Sequence, residues 1–490
     1  MSTTAPVTTS ARPTPPDGAT RPTPSRVALW AILGLVLLAD ALDMIDSTVT
    51  NIAAPSIVGD IGGGEGLVKW LGASYALALG VLLVVGGRLG DKYGQRRLFL
   101  VGMTGFTLAS AVAGLAPTPG VIVAARIVQG AFGALLIPQG MAIMARTFPR
   151  DMMRKAFGLF GPLLGIAAIG GPVLAGFLID LDLGGLDWRP VFLINVVLGV
   201  IGVPLAARIL PRDAAPASGA RSVTIDGTGA AYLAVTMFGL LFGLIEGSTD
   251  GWGVLAYVAL AVGVAGAGLF VHRQRTATDP LIRPSLLGNR GFTAGLVMGL
   301  VFFAASSGLM YVLSLFFQGA LGKTPGETSL ALLPLTLGIM VAAGACMGLM
   351  EKLGRTLVVV GLVVTLLGAG WFLALVAADG LALTSWAAAA PIFVVGLGMG
   401  ACFGTIYDIA IGDVSADEAG SASGSLTAIQ QLANGLGSAV VTTVYFHVAA
   451  GSGAVRAMEV ALVVVLAITA VCLPVSRLLP RRAPAGHEHG

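Results

Sequence analysis

The chain has 490 residues, of which 56% are hydrophobic and only 11% charged, and its mean hydropathy is +0.90. Soluble domains carry roughly 25% charged residues, so the composition excludes a water-soluble fold and indicates an integral membrane protein. A net charge of +3 scattered over short loops excludes a basic nucleic-acid-binding stripe.

The apolar runs are about twenty residues long, the length at which a helix crosses about 30 Å of hydrocarbon. Strands of a lipid-facing barrel would instead alternate apolar and polar residues over about ten positions. Residues 1–26, rich in Pro, Thr and Ser, read as a disordered tail. Fourteen spans then follow, at about 27–53, 69–87, 98–116, 121–145, 154–178, 190–210, 229–246, 253–271, 291–317, 328–349, 356–376, 384–411, 420–446 and 457–476, and a polar tail occupies 479–490. The first run reads as a span and not as a cleaved leader, because no small-residue cleavage site follows it. Seventy glycines suit helices that approach closely in lipid.

Basic residues set the orientation. With both termini cytoplasmic, the outer loops hold only Lys69, Arg189, Lys323 and Arg456, and Arg126 lies within a span, while every other lysine and arginine falls inside. That is the distribution the positive-inside rule requires. Cys346, Cys402 and Cys472 all fall in apolar segments without metal-ligand spacing, so they read as core residues, and no metal site is expected. No phosphate-cradling G-x-x-x-x-G-K-[ST] occurs, which excludes a self-contained ATP-driven pump.

The first span contains Asp40, Asp43 and Asp46. Spaced three apart, they lie within about 120° of one helix face and rise about 9 Å along it. Carboxylates facing lipid are costly, so the stripe is expected to face the bundle interior or a water-filled cavity. Arg126, the only basic residue inside a span, needs partners, which a first-span carboxylate, backbone carbonyls or Gln129 would supply. Two readings stay open for it: a static clamp between helices, or a charge that switches an acid between its protonated and ionised forms. Asp408 is either a second acid for a cation or proton, or a solvated charge near a helix end. Glu246 reads as interfacial, and none of the four histidines has an assigned role.

The loop after the second span reads Gly87-Arg88-Leu89-Gly90-Asp91-Lys92-Tyr93-Gly94-Gln95-Arg96-Arg97, and the loop before the eleventh carries Glu351-Lys352-Leu353-Gly354. Aligning Asp91 with Glu351 also aligns the lysines and the glycines. This echo suggests two six-span repeats separated by two extra spans, with a binding site between the repeats.

The first loop resembles the G-x-L-G-D-[RK]-x-G-[RK]-[RK] signature of the major facilitator superfamily, with Gln95 where a base is usual. Arg126-Ile127-Val128-Gln129-Gly130 resembles the R-x-x-Q-G motif of its proton-coupled members, and Gly171-Pro172-Val173-Leu174-Ala175-Gly176 its antiporter motif G-P-x-x-G-G, with Ala175 replacing a glycine. Asp46-Ser47-Thr48-Val49-Thr50-Asn51-Ile52-Ala53-Ala54-Pro55 resembles D-x-T-[IV]-V-N-[IV]-A-L-P of the fourteen-span drug:proton antiporter family, departing at Thr50 and Ala54. Trp188-Arg189-Pro190-Val191-Phe192-Leu193-Ile194-Asn195 and Glu418-Ala419-Gly420-Ser421-Ala422-Ser423-Gly424 are also similar to stretches of that family.

The resemblance implies an all-α membrane protein with the major facilitator fold, two six-helix bundles (27–212 and 285–478) flanking a two-helix insertion (213–284). It implies proton-coupled export of lipophilic, often cationic drugs or antibiotics by alternating access. Asp46, Asp43 and Arg126 would couple protons. Asp43, Asp46, Asp408, Asn51 and Gln129 would line the substrate path, and Gly87, Gly90, Asp91, Lys92, Gly94, Arg96 and Arg97 would gate it. Gly171, Pro172 and Gly176 would seal against leak. The expected protein is a monomer of a bacterial-type inner membrane, works on small lipophilic molecules and protons within the lipid bilayer, binds no nucleic acid, and draws on the proton gradient without a cofactor. It is not expected to be an enzyme, because no nucleophile or metal constellation is visible. The alternatives are a dedicated exporter of one endogenous metabolite or antibiotic, and a non-transporting membrane sensor.

Overall fold

The computed structural model describes residues 25–149, 184–213, 226–249, 252–346, 348–412, 414–415 and 418–480, together with scattered positions from 152 to 181. Among these residues there are helices and no strands. Twelve of the helices are long and apolar enough to cross a membrane. They are α1 (Arg26–Ile61), α2 (Gly64–Tyr93), α3 (Gln95–Gly114), α4 (Pro119–Thr147), α5 (Pro190–Ile209), α6 (Gly227–Thr249), α7 (Val254–Thr276), α8 (Arg290–Leu315), α9 (Pro325–Cys346), α10 (Arg355–Asp379), α11 (Ser385–Ile411) and α12 (Ala419–Val475).

Two of the fourteen expected spans account for the difference. The span at 154–178 falls largely outside the described residues. Those at 420–446 and 457–476 are two helices that meet at a kink at Gly453, with φ 80° and ψ 169°, and are counted together here as α12. The break expected between them is made at a residue whose conformation is open to glycine.

Local chemistry starts these helices where the sequence allows. Ser25 caps α1 by accepting from the Ala28 N–H at 3.2 Å, and Asn289 caps α8 by accepting from Phe292 at 3.1 Å. At α9, Thr324 and Glu327 form a reciprocal capping box, at 2.9 and 3.2 Å. The two echoing loops share more than spelling. Gly94 before α3 and Gly354 before α10 both take positive φ, 98° and 46°, a region that costs an L side chain strain. The start of α3 is capped from elsewhere in the chain: the carboxylate of Asp213, beyond α5, accepts from the Arg96 and Arg97 N–H groups at 3.0 and 3.1 Å.

Packing divides the helices into two sets. Helix α4 packs against α2 and α3, α3 against α5, and α1 against α2, α4 and α5. In the second set α8 packs against α12, and α11 against α9 and α10. The sets meet where α12 packs on α2 and α4. Helices α6 and α7 pair with each other, and α6 lies against both α2 and α12. Only 17% of the apolar stretch of α7 is buried, against 61% for α2, so α7 is the outermost helix of the pair.

Glycine governs the close approaches. A Cβ at Gly86 would strike the Ala134 carbonyl of α4, and one at Gly424 would stand 2.6 Å from the Leu83 carbonyl of α2. Gly86→Val is therefore expected to lower stability by about 1–3 kcal/mol, the usual cost of overpacking. It should reduce the unfolding temperature in detergent. An unchanged value would mean that α2 and α4 are free to separate there.

Candidate functional site

Five helices converge on one carboxylate. Asp46 on α1 is fully buried, as are Arg126 and Gln129 on α4, and Asn195 on α5 is 1% exposed. Three residues apart, Arg126 and Gln129 share a helix face. Arg126 Nη1 donates to Asp46 Oδ2 and to Gln129 Oε1 at 2.7 Å, while its Nε donates to the Leu71 carbonyl of α2 at 3.0 Å. Asp46 Oδ1 accepts from Gln129 Nε2 at 2.8 Å and from Asn195 Nδ2 at 2.7 Å. Gln129 Nε2 also donates to Ser110 Oγ of α3 at 2.9 Å. An uncompensated buried charge costs several kcal/mol; here each charge meets the other and further polar partners. Arg126 Nη2 and Asn195 Oδ1 have no protein partner among the described residues, so the cluster retains hydrogen-bonding capacity.

Tyr75 on α2 joins the second acid to this group. Its hydroxyl donates to Asp43 Oδ1, and the Arg126 guanidinium carbon lies 4.4 Å from the centroid of its ring, within cation–π range. Asp40, one turn further back, is buried and stands within electrostatic reach of Tyr407 on α11. Tyr407 stacks on Phe403 with centroids 5.2 Å apart, and Phe303 of α8 meets Phe403 edge-on at 5.4 Å. The α1 stripe thus runs from a closed ion pair towards an aromatic surface on the other helix set. Asp408 is half-buried beside Tyr407, whereas the cluster around Asp46 draws its partners from α2 to α5. The side chains of Asn51, Thr48 and Pro55 lie outside the described residues, as do Pro172 and Gly176; Gly171 is helical and buried.

By helix rise, Arg126 and Leu71 lie about 10 Å from the starts of α4 and α2, and Asn195 about 8 Å from the start of α5. The cluster therefore sits towards the end of the bundle opposite the arginine-rich loop. At its own end, Asp60 accepts from Trp188 Nε1 at 3.1 Å and Arg189 Nη1 at 2.8 Å, and these bonds, Trp188's first and then Arg189's, hold its carboxyl below the usual value of 3.8. A depressed carboxyl contributes stability above its unfolded value and loses it as pH falls through the folded one. The stability difference between the parent and Asp60→Asn should thus be constant at neutral pH and narrow only below 3.8. A difference unchanged in acid would show that the charge of Asp60 contributes nothing.

At the arginine-rich end α2 and α12 meet backbone to backbone. A Cβ at Gly87 would strike the Gly420 carbonyl of α12, and one at Gly420 would stand 2.7 Å from Asp91 Oδ1. Asp91 thereby faces the first turn of α12, where the helix dipole favours an anion. Gly90 is held against Gln139, whose Nε2 donates to the Gly86 carbonyl at 2.8 Å. Gln95 is buried, Arg96 reaches the Ala207 carbonyl, and Lys92 and Arg97 are exposed. The segment after α7 crosses this seam. Arg88 Nη2 donates to the Pro280 carbonyl at 3.5 Å, while Ser285 Oγ donates to Glu418 Oε1 and Arg283 Nη1 lies 3.7 Å from it.

Sequence reasoning missed Asn195, Tyr75 and Ser110 as members of the cluster. A lone amide within Val191–Val200 and a lone phenol within Leu71–Leu79 were the available signals. They could be heard only once α2 and α5 were known to pack beside α1 and α4.

Comparison with known proteins follows the same lines. The chain is 42% identical over 438 residues, 88% of its length and 75% of the relative's, to a "Probable actinorhodin transporter" of Streptomyces coelicolor. It is 33% identical over 419 residues, 84% of its length and 75% of the relative's, to a "Tetracenomycin C resistance and export protein" of Streptomyces glaucescens. The crystal structure of the human organic anion transporter MFSD10 is similar in fold, with TM-score 0.60 at 18% identity, covering 91% of this chain and 99% of that one. The family model of the Major Facilitator Superfamily matches residues 36–438. With its all-helical architecture and these relatives, the chain is a membrane-embedded transporter and not an enzyme, and it belongs to the Major Facilitator Superfamily.

Proposed function

We propose that this chain exports lipophilic, often cationic small molecules in exchange for protons, by alternating access of two six-helix bundles, 27–212 and 285–478. The segment 213–284 contributes two further helices, for fourteen spans in all, with both termini cytoplasmic in a bacterial-type plasma membrane. The observation that carries this reading is the buried Asp46–Arg126 pair with Gln129 and Asn195. A buried ion pair is a poor source of stability, but it is a sensitive place to deliver a proton. Protonating Asp46 would cancel the charge that holds Arg126 Nη1, freeing the guanidinium to turn towards Tyr75 and Asp43. Asp43, linked to Tyr75, and Asp40, within electrostatic reach of Tyr407, which packs with Phe403 and Phe303, offer a cation both charge and an aromatic surface. Backbone contact between α2 and α12 closes the arginine-rich end in this state.

The fourteen-span drug:proton antiporter family is the subfamily this reading places it in. A second reading is a dedicated exporter of one antibiotic, and it draws on the two relatives named above, each of which is named for a single compound. The test is efflux of a panel of dyes and antibiotics from cells with and without the protein, each with and without an uncoupler. Uncoupler-sensitive efflux of several unrelated compounds supports the first reading. Efflux of one compound alone supports the second, and efflux indifferent to the uncoupler removes proton coupling from both.

A further inference from the structure

A cavity of about 400 Å³ opens between the start of α10 and the end of α12, lined by Arg355, Val359, Leu473, Pro474, Ser476 and Arg477. It lies far along the chain from the Asp46 cluster and shares no residue with it. Two arginines line it, and among the described residues neither is paired with a carboxylate. Arg355 Nη1 donates to the carbonyls of Arg477 and Leu479, just beyond α12, at 3.4 and 3.5 Å. Arg355 is the first residue of α10, so the positive end of that helix adds to the field. The rest of the lining includes the apolar Val359, Leu473 and Pro474, and the sequence neighbours Val360, Val471 and Leu478 are exposed at 48%, 51% and 59%. In a membrane protein an exposed apolar band next to arginines that have no carboxylate partner among the described residues is a surface where acyl chains and a negative headgroup sit together.

The echo between the two loops sharpens the point. In the first half the position matching Arg355 is Gln95, neutral and 2% exposed. The second half has placed a cation where the first has none.

We infer that this cavity binds the phosphate of an anionic phospholipid, with Arg355 and Arg477 as its ligands and the Val359–Leu473–Pro474 wall against the acyl chains. Arginine's planar fork suits two phosphate oxygens, which a lone ammonium would not match. Being built from α10 and the end of α12, the site joins the lipid to two helices of one bundle.

The experiment is native mass spectrometry of the full-length protein in detergent, titrated with phosphatidylglycerol and, separately, phosphatidylcholine. Phosphatidylglycerol should be retained in preference. Its apparent affinity should fall roughly thirtyfold in the Arg355→Ala/Arg477→Ala double variant, since each basic group near an anionic lipid contributes about a fivefold effect. Because Arg355 also holds the end of α12, that variant could lose lipid by loosening the helix. Val359→Trp fills the cavity and leaves both charges, and it should lose phosphatidylglycerol as well. Arg456→Ala, which removes an arginine already paired with Glu459 at 2.6 Å, should retain it. Equal retention of the two lipids would overturn the proposal, as would wild-type retention by either the double variant or Val359→Trp. Inorganic phosphate displacing phosphatidylglycerol at millimolar concentration would make this an anion site and not a lipid site, and would overturn it too. None of these outcomes depends on export or on the proton gradient, so they are separable from the transport reading.

Discussion

Asp46→Asn is expected to lose proton-driven export by at least about tenfold, on the order of 1.4 kcal/mol of coupling, while the protein still reaches the membrane. Asparagine fills the same volume and can still accept from Gln129 and Asn195 through its carbonyl oxygen. What it removes is the charge facing Arg126 and the site at which a proton could bind. Vesicles carrying the variant should therefore fail to accumulate substrate when a pH gradient is imposed, yet should exchange substrate down its own gradient. That split separates a coupling residue from a merely structural one. Near-normal uptake driven by the pH gradient would take Asp46 out of the mechanism and leave the cluster as a clamp.

The second large effect concerns its partner. Arg126→Ala removes the donors to Asp46 and Gln129, the bond to the Leu71 carbonyl and the contact with the Tyr75 ring. Breaking a buried pair from one side costs roughly 3–5 kcal/mol, so this variant is expected to be both less stable and inactive. Arg126→Lys keeps a charge but has a single ammonium in place of the fork. It can serve Asp46 or Leu71, but not both with good geometry. It should fold more nearly like the parent and transport at an intermediate rate. The discriminating measurement is the double variant Asp46→Asn/Arg126→Gln. If the pair acts only as a clamp, a neutral hydrogen-bonded pair of similar volume should restore stability and transport together. If it couples, stability returns and pH-gradient-driven transport does not.

How far the sequence led can be judged from these same residues. Asp46, Arg126 and Gln129 were visible because charge and amide groups inside apolar runs are costly, and cost demands partners. That argument names which groups must meet something, and helix periodicity names the face they share. It does not name what lies opposite. Asn195 and Tyr75 entered only through the packing of α5 and α2, and the capping of α3 by Asp213 depends on a contact across more than a hundred residues. Span positions were legible from hydropathy, and the break read near Gly453 is where the two helices of α12 meet at a kink. Hydropathy senses the medium a segment prefers, so it places the break without giving the backbone angle that makes it. Asp408 shows the reverse limit: an acid in an apolar run, half-buried on a helix of the other set.

The segment that crosses the seam at the arginine-rich end sets a length scale. It is moored to the first set of helices through Pro280 and Arg88, and to the second through Ser285 and Glu418. Behind it, Gln274 on α7 grips Ile282 through both backbone groups. A fully extended chain from Pro280 to Ser285 reaches about 17 Å. If both moorings hold while α2 and α12 draw apart, that reach caps the aperture, and a wider gap has to cast off one of them. On that condition the inserted pair of helices would be more than a passenger beside the bundles, since the chain that returns from it would limit how far α2 and α12 separate.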